Sequence, residues 1–107
     1  MADNSLLEKV LGLQEKYDAL QAQLADPEVI SDMKRFVQLN KEYKELTPII
    51  EAGNEFKKVL ENYEMAKEIL ATEKDEDLRE MAKEEIAEIE PKLPDMEQNI
   101  KLLLIPA

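Results

Sequence analysis

Few side chains in this sequence have the type and spacing that chemistry requires. The 107 residues contain no histidine and no cysteine, which removes the usual general bases, thiol nucleophiles and soft metal ligands. The two glycines, Gly12 and Gly53, stand far apart and cannot build a phosphate-binding loop. Ser5 and Ser31 precede helical patterns, where helix capping explains them. We therefore expect no active site, no metal and no cofactor within these residues.

One row of carboxylates resembles a metal site at first sight. Glu80, Glu84 and Glu88 recur at a spacing of four, so they share one face of a predicted helix. Metal sites in helical bundles combine inward glutamates with Glu-x-x-His pairs, and no histidine is available here. We interpret the row as a solvated face.

A basic strip is the remaining candidate for a binding site. Lys34, Lys41 and Lys44 lie on one side of a predicted helix, with Arg35 adjacent. The formal net charge is -11, divided as -4 over residues 1–30, -1 over 31–70 and -6 over 71–107. Only the middle stretch can approach phosphates, so these four residues are candidates for a contact with RNA or with an acidic partner. The alternative is that they pair with acidic flanking helices or with nearby Glu42 and Glu45.

Three rows of apolar residues predict the helices that carry these groups. The first row has the alternating three- and four-residue steps of a packed helix and consists of Leu6, Val10, Leu13, Tyr17, Leu20 and Leu24. Ser5 and Glu8 form a capping-box pattern at its start. Asp26-Pro27 ends it, because the residue before a proline is disfavoured in helical conformation.

The second row is the longest, with Ser31 or Asp32 as the predicted cap. Its members are Phe36, Leu39, Tyr43, Leu46 and Ile50, followed by Phe56, Val59, Tyr63, Ala66 and Leu70. Pro48 and Gly53 fall inside it, so we expect a kink near Pro48 or a short break between residues 47 and 54. The acidic stretch 72–77 predicts the next turn, with Thr72 or Asp75 as the cap.

The third row continues through two prolines and comprises Ala82, Ile86, Ile89, Leu93, Met96, Ile100 and Leu103. Its register places Pro91 and Pro94 on the outer face, so we expect one helix that bends around them. At about 1.5 Å per residue, the three helices would be roughly 30, 60 and 45 Å long. The predicted fold is all-α, an elongated antiparallel helical hairpin or three-helix bundle with coiled-coil-like packing.

The end of the sequence is unusually apolar. Four aliphatic residues and a proline occupy positions 102–106, and exposed apolar runs of this kind normally mark a contact surface. We expect residues 1–101 to form the helical domain and 102–107 to begin a truncated connection to a further domain. Without a signal peptide pattern, a cysteine framework or an apolar run of about 20 residues, the sequence favours the cytoplasm over a membrane.

Several segments together resemble a known family. They are ADPEVI at 25–30, FVQLNKEYKEL at 36–46, PIIE at 48–51, LREMAKEEI at 78–86 and KLLLIP at 101–106. In this order and spacing the chain resembles the N-terminal helical domain of bacterial class I peptide chain release factors, most closely the release factor 1 branch, which reads UAA and UAG. In that family the apolar run leads into the first strand of a central domain.

The resemblance implies a role without catalysis for this segment. Family members promote peptidyl-tRNA hydrolysis through a Gly-Gly-Gln loop and read the stop codon through a separate tripeptide, and neither is present in this sequence. The implied role is to dock and orient the factor on the ribosome, near the stalk base of the large subunit, as part of a monomeric parent factor. A fragment could self-associate through its apolar end. The alternatives are a stand-alone acidic coiled-coil scaffold or chaperone-like module, and a ribosome-rescue hydrolase that lacks a codon-reading element.

Overall fold

The computed structural model describes residues 4–105, and all regular structure in this range is helical. Five helices follow in chain order: α1 (Asn4–Leu24), α2 (Pro27–Ile30), α3 (Met33–Thr72), α4 (Glu76–Ile89) and α5 (Lys92–Leu103). α1 runs antiparallel to the first part of α3, and α4 with α5 returns along the second part. The all-α prediction is therefore confirmed, with α3 as the spine of the molecule.

Helix α1 corresponds to the first predicted helix. α1 is described from Asn4 onward, and the role of Ser5 as its cap stays a prediction. Leu6 in the first described turn is buried in the core. At the other end α1 stops before Asp26, whose carboxylate accepts a hydrogen bond from the Glu28 backbone N–H at 2.9 Å and caps α2.

α3 runs without interruption for 40 residues, and the predicted break between residues 47 and 54 is wrong. Asp32 caps the helix by accepting a hydrogen bond from the backbone N–H of Arg35 at 3.3 Å. Pro48 lies inside the helix and is exposed. Contacts with α1 on either side of it, Thr47 with Tyr17 and Gly53 with Val10, favour a continuous helix. Gly53 is buried against Val10, so its lack of a side chain permits a close helix crossing.

The third predicted helix is divided in two. Asp75 caps α4 by accepting a hydrogen bond from the Asp77 N–H at 2.9 Å, as one of the two predicted caps. The expected continuity through the prolines is wrong, because α4 ends at Ile89 and α5 begins at Lys92. Pro91 and Pro94 have no N–H to donate, so a continuous helix would lack the bonds to the carbonyls of residues 87 and 90, two within one turn. Both prolines are exposed on the outer face, as their register predicts.

A single core joins α1, α3, α4 and α5. Phe56 is fully buried at its centre, and the cluster comprises Leu6, Val10, Phe56, Leu60, Ile89, Leu93 and Ile100. The principal extents of 62 × 27 × 18 Å match the elongated shape predicted from helix length. The long dimension is close to the roughly 60 Å expected of a 40-residue helix.

The apolar end is partly in the fold and partly outside it. α5 runs to Leu103, past the predicted boundary at residue 101, and Leu104 packs against the core. Leu102 and Ile105 are exposed, while residues 106 and 107 lie outside the described range. The assignment of 102–107 to a connection stays a prediction. Within residues 4–105, no helix is both long enough and apolar enough to cross a membrane.

Candidate functional site

The basic strip, defined as Lys34, Arg35, Lys41 and Lys44, lies on the outer surface of α3. All four side chains are exposed, and none of them forms an ion pair within the described part of the chain. Within residues 4–105 no ion pair joins these cations to Glu42, Glu45 or the acidic helices, and the contact with RNA or an acidic partner stays a prediction. Four solvated cations with no carboxylate partner remain available to an external anion.

The helix brings some of these residues together and separates others. Lys41 and Lys44 are one turn apart and line the same shallow depression of about 380 Å³, together with Val37, Asn40 and Glu45. Lys34 lies on the same side, two turns earlier, which is about 10 Å along the axis. Arg35 is rotated by about 100° from Lys34. The strip is therefore a line of three lysines, with the arginine on its flank.

The connection between α1 and α3, residues 25–32, is compact and fixes the start of α3; we call it the elbow. Val29 of α2 is only 1% exposed and anchors the connection between α1 and α3. Ser31 donates a hydrogen bond from its hydroxyl to the Glu28 carbonyl at 3.0 Å, and Asp32 then caps α3. This elbow sets the rotation of α3, and with it the direction in which the lysines point.

On the side of α3 opposite the basic strip, a polar clasp made by Tyr17, Tyr43 and Thr47 holds α3 against α1. The rings of Tyr17 and Tyr43 are stacked with their centroids 4.4 Å apart. Thr47 donates its hydroxyl proton to the Tyr43 carbonyl at 2.9 Å, so the Tyr17 hydroxyl is the donor in its 3.0 Å bond to Thr47. A hydrogen bond with the Tyr17 hydroxyl, followed by burial, raises the pKa of the Tyr43 phenol.

Sequence reasoning placed both tyrosines in apolar rows but missed the clasp. The periodicity shows that Tyr17 and Tyr43 face inward, but not which residues of the two rows meet. Thr47 directly precedes Pro48, which lies within the second apolar row. In the sequence, the Thr47 hydroxyl was the only nearby sign that Tyr17 and Tyr43 have a polar partner. Stacking and two hydrogen bonds make this contact more specific than an aliphatic pair.

The carboxylate row behaves as a solvated face. Glu80, Glu84 and Glu88 are all exposed. The first pairs with Lys83 at 4.0 Å, and the last pairs with Lys92 at 3.6 Å. In residues 4–105 no group of three or more acidic side chains is arranged to hold a metal ion.

Comparisons with a family model and with individual proteins point to the same family. Residues 13–107 match the PCRF domain. The chain is 50% identical over its whole length to peptide chain release factor 1 of Bacteroides fragilis and 49% identical to that of Parabacteroides distasonis. Over 94% of its length it is 43% identical to peptide chain release factor 1 of Clostridioides difficile.

These relatives are much longer than the chain. It spans 29% of the Bacteroides and Parabacteroides proteins and 28% of the Clostridioides protein. No solved structure matches the chain significantly.

Proposed function

The chain belongs to the PCRF domain family, and we propose that it is the helical domain through which a class I release factor docks on the ribosome. In this proposal the parent factor reads UAA and UAG and promotes peptidyl-tRNA hydrolysis in the cytoplasm. Codon reading and hydrolysis belong to other parts of the parent. The observation that carries the proposal is similarity to release factors 1 along the entire chain.

Charge separation along α3 supports a docking role. Residues 33–48 contain four bases and two acids, net +2, whereas residues 61–90 contain twelve acids and four bases, net -8. Residues 33–48 form the first part of α3, whereas residues 61–90 form its last part together with α4, at the other end of a helix about 60 Å long. Near a polyanionic RNA surface the first end is attracted and the second is repelled, so the domain approaches in one orientation.

Rigidity supports the orienting part of the proposal. The elbow before α3, the clasp between Tyr17 and Tyr43, and the core around Phe56 fix α3 relative to its neighbours. A rigid element transmits a contact at one end into a defined placement of whatever is attached at the other. We propose that the contact is made near the stalk base of the large subunit and that the parent acts as a monomer.

The exposed part of the apolar end has a place in the same proposal. Leu102 and Ile105 are exposed aliphatic side chains at the end of α5. We propose that a further domain of the parent covers them, and that they promote self-association when that domain is missing.

A double charge reversal in the full-length factor tests the docking role. Lys34→Glu with Lys41→Glu places two negative charges where the proposal has phosphate contacts. We expect ribosome association to weaken about tenfold or more at low salt, and the slope of log affinity against log salt to fall by about 1 per lysine.

The matched control makes the same change in charge elsewhere. Lys67→Glu with Lys83→Glu alters two lysines that already pair with glutamates and lie in the acidic half of the molecule. The control should bind ribosomes almost as the unmodified factor does. Equal binding and equal salt dependence for the strip variant and the unmodified factor would overturn the proposed contact.

A further inference from the structure

An apolar groove lies between α3 and α4, at the end of the molecule away from the basic strip. It is lined by Met65 and Ile69 of α3 and by Leu78 and Met81 of α4, with Asn62 and Glu85 as the polar lining residues. We call this surface the methionine groove. Its floor contains Ala66 and Ala82, both buried, whose small side chains let the two helices approach closely. Long side chains around a floor of small ones make the surface concave.

The groove walls consist of exposed apolar side chains. Met65 is 61% exposed and Met81 is 65% exposed, and Ile69 and Leu78 are also open to solvent. Nothing in residues 4–105 covers them, and together they form a continuous apolar surface. Contiguous exposed apolar surface on a helical protein is typical of a binding site. Methionine suits such a site, because its flexible thioether adapts to different partner side chains.

The negative charge around the methionine groove favours a positively charged partner. Residues 61–90 have a net charge of -8, and their bases are largely engaged. Lys67 pairs with Glu64 and Lys83 pairs with Glu80, while the Arg79 guanidinium donates to the carbonyls of Leu70 and Glu73. An arriving partner therefore meets mainly carboxylates.

These features exclude most occupants. Phosphates of RNA and anionic lipid headgroups are repelled by the local charge. A second copy of the chain would bring the same negative charge to the same place. The groove volume of about 250 Å³ lies below the range of roughly 300–1,000 Å³ usual for pockets that enclose small molecules.

We propose that the methionine groove binds a basic amphipathic helix of another protein. An apolar stripe of that helix would lie along the methionines, as in helix-in-groove recognition, and its lysines or arginines would meet the surrounding carboxylates. This inference does not depend on the ribosome contact of the basic strip, because it concerns the opposite end of α3 and a partner of opposite charge.

The probe for this surface is a synthetic Leu/Lys peptide of about 15 residues, with leucines at helical spacing. Methionine methyl groups labelled with carbon-13 report where it binds, since the chain has only five methionines. The resonances of Met65 and Met81 should shift on titration, while those of Met33 and Met96 should not. A Leu/Glu peptide of the same spacing should bind at least about tenfold more weakly.

Variants separate the groove from general charge attraction. Met65→Gln with Met81→Gln keeps helix-forming residues at both sites and should weaken peptide binding about tenfold. Met33→Gln is the matched control, because Met33 is 67% exposed on the distant end of α3. Its affinity for the peptide should equal that of the unmodified chain. Glu85→Lys, which reverses a charge that lines the groove, should also weaken binding.

Three results would overturn the proposal. The double methionine variant could bind the Leu/Lys peptide as tightly as the unmodified chain, which would make the attraction purely ionic. An RNA oligonucleotide could shift the Met65 and Met81 resonances, which would make the ligand a nucleic acid. Sedimentation could show a dimer that the double variant abolishes, which would make the occupant a second copy.

Discussion

Replacing each of the two glycines of this chain by alanine should change the stability of the protein differently, because their surroundings differ. Both lie inside helices, Gly12 in α1 and Gly53 in α3. A methyl group added at Gly12 meets no atom within 4 Å, whereas one added at Gly53 would overlap Val10 Cγ1 and lie 3.4 Å from Val10 Cγ2. Val10 is buried and β-branched, so it has little freedom to rotate away.

The magnitudes follow from these two environments. Replacing glycine by alanine in a helix interior gains about 0.5–1 kcal/mol of stability, and Gly12→Ala should show that full gain. At Gly53 the same gain is opposed by overpacking, which costs about 1–3 kcal/mol. Gly53→Ala should therefore be neutral or destabilising by up to about 2.5 kcal/mol, and the two variants should differ by about 1–3 kcal/mol.

Urea unfolding followed by circular dichroism measures the difference. With a slope of about 2 kcal/mol per M, the two midpoints should be separated by roughly 0.5–1.5 M. In a Val10→Ala background the overlap disappears, so Gly53→Ala should then stabilise the protein as Gly12→Ala does. If both alanine variants raise the midpoint equally in the unmodified background, α1 and α3 do not cross at Gly53 as described.

Three further substitutions test the core, the helix interior and a surface hydrogen bond. Phe56→Ala should lower the free energy of unfolding by about 3–5 kcal/mol in urea titrations, because Phe56 is 0% exposed; a loss under 1 kcal/mol would contradict its central place. Pro48→Ala should raise the free energy of unfolding by about 1–3 kcal/mol by restoring a backbone donor; a loss of stability would show that the proline is needed. Tyr63 donates a hydrogen bond to Glu90, which raises the pKa of its phenol. The stabilisation from this hydrogen bond is therefore complete below the ordinary pKa of tyrosine, and it is lost as pH rises through the raised pKa of Tyr63 in the folded protein. Glu90→Gln should let Tyr63 ionise at lower pH in an NMR titration, and an unchanged titration would refute the cause.

Most of the fold follows from local patterns in the sequence. The apolar rows of all three predicted helices face inward. Asp32 and Asp75, two of the short polar residues that precede apolar rows, cap α3 and α4. These features depend only on near neighbours and helical geometry. They suffice for an all-α, elongated arrangement.

Helix continuity at the prolines could not be predicted from the same patterns. Pro48 interrupts one hydrogen bond inside a helix that packs on both sides of it, and α3 continues. Pro91 and Pro94 remove two donors within one turn, and the helix divides. Gly53 suggested a break, but it marks a close approach to Val10. Each outcome depends on tertiary contacts that the periodicity does not contain.

The candidate site was predicted in part. Exposure of Lys34, Lys41 and Lys44 follows from their position opposite the apolar row, but their lack of ion pairs depends on where neighbouring carboxylates point. The methionine groove was not predicted, because Met65 and Met81 lie outside the apolar rows. It becomes visible only when α3 and α4 are placed side by side.

The most direct test of the docking role is peptide release measured against the concentration of full-length factor. A loss of binding that leaves chemistry intact raises the half-saturating concentration and keeps the maximal rate. For the factor carrying Lys34→Glu and Lys41→Glu, we predict a half-saturating concentration raised about tenfold at an unchanged maximal rate of release on stop-codon-programmed ribosomes. A reduced maximal rate at an unchanged half-saturating concentration would contradict a docking role for this domain.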